Sequence, residues 1–427
     1  MKNIHELTAS AIARATNARE LTCVAVTEAC LAHIAEREPA VQAWHYLDAD
    51  TALRQARALD AAGANGPLLG VPVGMKDIID TDDMPCEYGT VIHRGRRPTI
   101  DAACVALTRR AGGVIMGKTV TTEFANFTPG KTRNPFDPAR TPGGSSSGSG
   151  AAVGAQMVPL ALGTQTTAST LRPAAFNDCF GYRPTWADIR CSGVMEASGS
   201  MDTLGVIARS VEDVALYRDV LVGVEAQSLQ RWDGAPPRIG YCRGHFWDQC
   251  EPYTQRLMDD LAQRLASAGA KVTDVTLPAE FDGLPDAHRW ITSFEFVRAR
   301  AWEINHHWEA ISARLRAGRI KDGQDCSYER YAAARALAER CRLQMDAFMN
   351  DYDVLLTPAV AGEPPLGLEA TGNANYCIVW TSLHVPAMSL PLFKGPHGLP
   401  VGAQLVARRN DDRRLFAVAD WITRMSA

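Results

Sequence analysis

The chain of 427 residues has no apolar run near the ~20 residues that a membrane-spanning helix needs, so no membrane partner is expected. Its opening residues, MKNIHELTASAIARATNARELT, lack the apolar core of a secretory signal. No tract of like charge is found either: 44 Lys and Arg stand against 48 Asp and Glu, a formal net charge of -4. That balance argues against nucleic acid as the main partner. The 11 cysteines are odd in number and scattered, with no C-x-x-C pair, which argues against a disulfide framework or a zinc site. The histidines form no H-E-x-x-H or similar spacing, so neither metal nor cofactor is expected. Internal repeats and low-complexity segments are also missing. What remains is the composition of an ordinary globular protein, 46% hydrophobic and 22% charged, with the reduced thiols of a cytoplasmic one.

Apolar spacings of three and four residues predict helices from about Ile4 to Ala62. Two apolar strands follow, in GPLLGVPVGMKD and VIMGKTV, with a helix between them in DAACVALTRRAGG. Strands alternating with helices predict an α/β fold, a mixed central sheet covered by helices on both faces. The polar stretch from Val222 to Pro237 is the best internal boundary, and residues 282–350 read as helical and rich in aromatics. The simplest organisation is a single domain over 1–427. It comprises a helical N-terminal region (1–65), a chemistry-bearing core (66–222) and the helical insertion.

The most informative segment runs from Thr141 to Phe176. It sets Ser145, Ser146, Ser147, Ser149 and Ser169 among small residues that let backbone N–H groups approach a ligand. Two motif matches in this region fail on context. Gly112 to Thr119 satisfies the phosphate-cradling G-x-x-x-x-G-K-[ST], but Val114, Ile115 and Met116 suit a strand rather than a loop around an anion. Gly144 to Gly148 satisfies G-x-S-x-G, but the nucleophile elbow needs a strand upstream, and NPFDPARTPG is broken by prolines.

A serine hydroxyl is a poor nucleophile without a base. No histidine lies close in sequence to either serine cluster, which leaves Lys76 as the candidate, after the apolar run Leu68 to Met75. To accept a proton it must be buried enough to fall from ~10.4 toward ~7–8. Taken singly, Lys76 reads equally as a surface lysine after a strand, and any one serine as a turn or helix cap.

The chain resembles the amidase signature family of serine hydrolases in GVPVGMKD, AGGVIMGKTVTTEFA, NPFDPARTPGGSSSGSGAAVGAQ, GTQTTASTLRPAAFNDCFGYRPT, MDTLGVIARSVEDVAL and the C-terminal VPAMSLPLF and GLPVGAQLV. The resemblance implies that Lys76 is the base, Ser145 a bridging serine at a cis peptide bond, and Ser169 the nucleophile of an acyl-enzyme. Backbone N–H groups of Thr166, Thr167, Ala168 and Ser169 would then form the oxyanion hole. Ser146, Ser147 and Ser149 are expected to support the backbone, and Arg172 to make a structural ion pair. The chain departs from the family at Ala168, where glycine is usual, at Thr167, where glycine or alanine is typical, at Gln165, where many members carry aspartate and a subset glutamine, and at Thr170-Leu171, where an apolar pair is more usual.

The expected activity is hydrolysis of an amide-type bond, including carbamates, ureas or esters. The alternative is the glutaminase-type subunit of a tRNA-dependent amidotransferase. Met75, Phe124, Asn126 and Phe127 are candidate substrate contacts. So are some aromatics of the stretch Trp290 to Trp308, whose default reading is a packed core. These residues favour a small, uncharged aryl or alkyl substrate. A homodimer is the expected assembly.

Overall fold

A computed structural model describes residues 3–426. The N-terminal helices start where hydroxyl or carboxylate side chains cap them. Thr8 accepts from Ala11 N at α1 (Ala9–Asn17), Thr22 from Ala25 N at α2 (Cys23–Val41), and Asp48 from Thr51 N at α3 (Ala49–Ala61). Between α2 and α3 lies a strand that helical periodicity did not reveal, β1 (Trp44–Leu47). Gln42 ends α2 in a left-handed conformation (φ 54°), and the Trp-His-Tyr-Leu segment then pairs antiparallel with β3 (Val114–Thr119). A tertiary partner, rather than local spacing, makes it a strand.

The predicted strands follow as β2 (Pro72–Lys76) and β3, separated by α4 (Ala103–Arg110). Next come α5 (Ser147–Gly154), β4 (Leu160–Gln165), α6 (Leu171–Phe176), β5 (Phe180–Arg183), β6 (Thr203–Ala208) and α7 (Val211–Val222). Past the polar stretch, β7 (Arg238–Tyr241), α8 (Pro252–Ser267), β8 (Lys271–Asp274) and α9 (Leu284–Ala299) precede β9 (Val354–Pro358), β10 (Ala387–Lys394) and β11 (Pro400–Val406). The eleven strands of the described residues join one mixed sheet, in the order β1-β3-β2-β4-β6-β5-β10-β11-β9-β7-β8. The sheet therefore continues across the stretch from Val222 to Pro237.

Strand alternation distributes side chains to both faces. On β4, Leu160 and Leu162 enter one apolar cluster with Val73 and Met75 of β2 and Val206 of β6. Ala161 and Ile207 enter another, with Cys30 and Ile34 of α2 and Ala151 to Val153 of α5. No helix among the described residues is long and apolar enough to cross a membrane. The region 282–350 is helical, but its aromatics divide. Phe294 and Phe296 are buried, while Trp302 and Trp308 are 52% and 37% exposed.

Both rejected motifs stay rejected. Val114–Thr119 is a buried strand, and the Lys118 ammonium donates to Ile79 O inside the protein. Upstream of Gly144 there is loop, not strand.

The serine-rich helix α5 packs on β4 because β4 offers no side chain at Gly163. A Cβ there would lie 2.5 Å from Ser146 Oγ. Gly163→Ala is expected to cost about 1–3 kcal/mol, the usual penalty for overpacking, measured by urea unfolding.

Candidate active site

Strand β2 ends on Lys76, which is fully buried. Its Nζ donates to Ser145 Oγ at 2.7 Å and to Thr164 Oγ1 at 2.8 Å. Burial pulls the amine down to about 7, against the opposing charge of Asp202. Ser145 is presented by a turn through Gly143 (φ 80°), where only glycine sits comfortably, and its peptide bond with Gly144 is cis. Ser145 O accepts from Thr122 N, which holds the turn against the end of β3.

The neighbouring serines bond to backbone. Ser146 Oγ donates to Thr164 O at 3.3 Å and accepts from Thr164 N at 3.2 Å. Ser147 Oγ donates to Gly143 O at 2.8 Å, and Ser149 Oγ to Leu162 O at 2.9 Å. With their hydroxyls engaged in this way, these three do the supporting work expected of them.

Ser169 is half-buried on the loop between β4 and α6, and Ser146 N donates to its carbonyl at 3.2 Å. Ser169 is therefore one bond removed from the residue that follows Ser145. The N–H groups of Thr167, Ala168 and Ser169 meet no acceptor among the described residues. The loop is instead held through its other atoms. Thr166 Oγ1 donates to Asp202 at 2.6 Å, His288 Nε2 to Thr166 O at 2.9 Å, and Thr381 Oγ1 to Thr167 O at 2.9 Å. Gln165 Oε1 accepts from Thr170 N and Leu171 N, capping α6, while its Nε2 donates to Thr381 at 3.3 Å. A glutamine does both jobs, whereas an aspartate in its place could only accept. The side chains of Thr167 and Ala168 are accommodated. Ala168 is buried in an apolar cluster with Leu171 and Met201, and Thr167 Oγ1 lies 3.4 Å from His288.

Asp202, His288, Thr164 and Thr381 were not found from the sequence. Asp202 stands inside MDTLGVIARS, but nothing local tells it from a surface aspartate. In the fold it is buried and accepts from Thr166 Oγ1, Ala197 N and Ser198 N. Burial pushes its carboxyl up to about 6 against those bonds. His288 is pulled down to about 4 by burial, so it is a neutral donor to the loop carbonyl. The expected ion pair of Arg172 is a correction. Among the described residues its guanidinium meets no carboxylate, and it donates to Gly144 O and Gly372 O, each at 2.5 Å, and to Thr371 Oγ1 at 3.0 Å. Backbone carbonyls of two turns took the place of an acid.

A cavity of about 110 Å³ touches Thr164, Thr166 and Asp202. Its walls include Ile78, Ala125, Val194, Met195 and Glu196. None of the four sequence-chosen contacts lines it. Met75 and Phe124 are core residues, Asn126 Nδ2 donates to Phe124 O, and Phe127 is 40% exposed. Ala125, between them, does reach the wall.

The mixed sheet covered by helices, with a buried amine-serine pair beside a cavity, is the architecture of an α/β enzyme. The chain belongs to the Amidase family, whose model matches residues 25–416. It is 33% identical to a Glutamyl-tRNA(Gln) amidotransferase subunit of Chloroflexus aggregans (strain MD-66 / DSM 9485), over 100% of this chain and 98% of that one. It is 31% identical to the 2-amino-5-chloromuconic acid deaminase of Comamonas testosteroni, over 94% and 92%. Among solved structures it is similar to the native peptide amidase of Stenotrophomonas maltophilia, with a TM-score of 0.84 at 26% identity over 99% and 97% of the two chains. The protein is a hydrolase of carbon–nitrogen bonds.

Asp202→Asn replaces an acceptor of three bonds with a group that also carries donors. It is expected to lose about 2–4 kcal/mol in chemical denaturation. Because Asp202 holds the Lys76 value up, the variant's activity limb should move to lower pH in a kcat/KM profile.

Proposed function

We propose that the chain is a self-sufficient amide hydrolase that works through an acyl-enzyme on Ser169. Ser169 Oγ attacks the substrate carbonyl carbon while its proton passes to Ser145 Oγ, whose own proton passes to Lys76 Nζ. The Ser145 hydroxyl can serve both steps because it donates and accepts. The oxyanion is received by N–H groups of Thr166, Thr167, Ala168 and Ser169, donors already in place before charge develops. As the carbon–nitrogen bond breaks, the proton returns from Lys76 through Ser145 to the leaving nitrogen. Water then attacks the ester, and Ser169 recovers its hydrogen. The observation that carries this reading is the Lys76 amine, fully buried and bonded to Ser145.

The apolar wall at Ile78, Ala125, Val194 and Met195 suits the alkyl or aryl part of a small amide, carbamate, urea or ester. Eleven unpaired cysteines favour a reducing, cytoplasmic setting. We propose further that activity requires neither RNA nor another kind of subunit, with a homodimer as the working assembly. A second reading, the glutaminase-type subunit of a tRNA-dependent amidotransferase, draws on the Chloroflexus relative, which matches this chain end to end.

Purified chain alone separates the two. Turnover of simple amides supports the first, and glutamine hydrolysis that needs added partner subunits supports the second. Ser169→Ala and Lys76→Ala are each expected to lower kcat by ~10³-fold or more, as when a triad member is removed. The Lys76 amine is ~10.4 in the unfolded chain and about 7 when folded. The base form therefore fills as pH rises through 7, and kcat/KM should climb along a limb centred there. The unfolded chain binds the extra proton between pH 7 and ~10.4, so this group adds stability as pH rises across that window. A flat profile from pH ~5 to ~9 would rule Lys76 out as the base.

A further inference from the structure

Arg319 is a partly buried guanidinium that makes no ion pair and no hydrogen bond among the described residues. Arginines around it are engaged: Arg316 with Glu309 at 3.0 Å, Arg300 with Glu303 at 2.9 Å, and Arg314 with Glu369 O. Arg319 lies in a π turn, Arg316–Ile320, in which Gly318 (φ -100°, ψ -106°) leaves the helical path. The stretch that leads into that turn is fastened to the segment that forms one cavity wall. Ser312 N donates to Glu123 Oε1 at 3.0 Å, Thr128 and Ser312 share a 2.7 Å hydroxyl bond, and the Arg319 guanidinium sits 5.6 Å from the Phe127 ring centre. Ala125, within the same segment, lines the cavity.

On its other side the turn packs against α9, which carries His288. The Arg319 charge acts on His288 and on Asp202, the two groups that hold Thr166. Neither nearby acid is free to pair with it. Asp202 already accepts three bonds, and Asp322 is held by both arms of Arg289, at 2.8 and 2.5 Å. A guanidinium only partly withdrawn from water and without a protein acceptor is open to a ligand, and its planar fork matches a carboxylate.

We propose that Arg319 is a substrate-binding residue that receives a carboxylate, so that the preferred substrate is an anionic amide with an apolar middle. The proposal rests on the amide-hydrolase reading and replaces the expectation of a wholly uncharged substrate. Ile78, Ala125, Val194 and Met195 take the apolar middle. Glu196 and Asp202 on the cavity wall repel an acid, which leaves the Arg319 side for it.

The test compares a short series of dicarboxylic acid monoamides with uncharged alkyl amides of the same length. Turnover is followed with the wild-type chain, and binding to Ser169→Ala by calorimetry. The wild type is expected to favour the anionic series by ~10–100-fold in kcat/KM, the worth of a charge-assisted pair. Arg319→Gln should erase that preference in turnover, and in binding when combined with Ser169→Ala, lowering the anionic series ~10–100-fold more than the uncharged one. Arg319→Lys should keep only part of it, which also covers the case in which glutamine unfolds the turn. Arg316→Gln should keep it all.

Equal use of both series by the wild type, or an equal loss of both in Arg319→Gln, overturns the proposal. Arg319-dependent binding without any hydrolysis upholds the site and overturns the hydrolase reading. Hydrolysis without charge preference does the reverse, and neither binding nor hydrolysis overturns both.

Discussion

The removal of one lysine amine from water organises the centre of this protein. An amine fully buried at the end of β2 must either lose its proton or find partners, and Lys76 does both in part. Its value falls to about 7, and its two hydrogen bonds go to hydroxyls, Ser145 and Thr164, rather than to a carboxylate. A carboxylate in direct contact would have kept the amine charged. Asp202 acts on it only from a distance and is occupied by three other donors. The same geometry requires the serine turn to approach β4 closely, and the absence of a side chain at Gly163 permits it.

The second structural theme is a loop held through its carbonyls and side chains. Carbonyls and side chains of residues 165–168 are bonded to Asp202, His288, Thr381, Arg172 N and the start of α6, while the N–H groups of Thr167, Ala168 and Ser169 meet no acceptor among the described residues. The partners come from the start of β6, from α9 and from the helix Ile378–Ser382, so the loop's shape is set by elements far apart in the chain. In this chain the loop carries the side chains of Thr167 and Ala168, where the resemblance led us to expect smaller residues. Ala168 is packed in the core, and the added Thr167 hydroxyl approaches His288, so the departure is absorbed by neighbouring structure.

Some of this was legible without coordinates. The strands at 72–76 and 114–119 followed from apolar runs bounded by glycine and charge, and the second of those runs was the reason to reject a phosphate loop. The supporting bonds of Ser146, Ser147 and Ser149 also followed from their setting among small residues. Strand β1 was not legible, because a four-residue segment among helices has no period of its own and becomes a strand only against β3. Arg172 was misjudged for a related reason. A buried arginine needs acceptors, and whether these are carboxylates or carbonyls depends on which backbone folds against it.

The sequence alone determined the family and the α/β class, because these rest on local spacing and on motifs long enough to be specific. The tertiary structure alone decided the electrostatic state of Lys76 and its surroundings. Burial of Lys76, the distance of Asp202 from it, the placing of His288 against Thr166 and the unpaired state of Arg319 all depend on segments far apart in the chain. Desolvation and hydrogen bonding act through space, and a one-dimensional pattern carries no record of which chain segments meet.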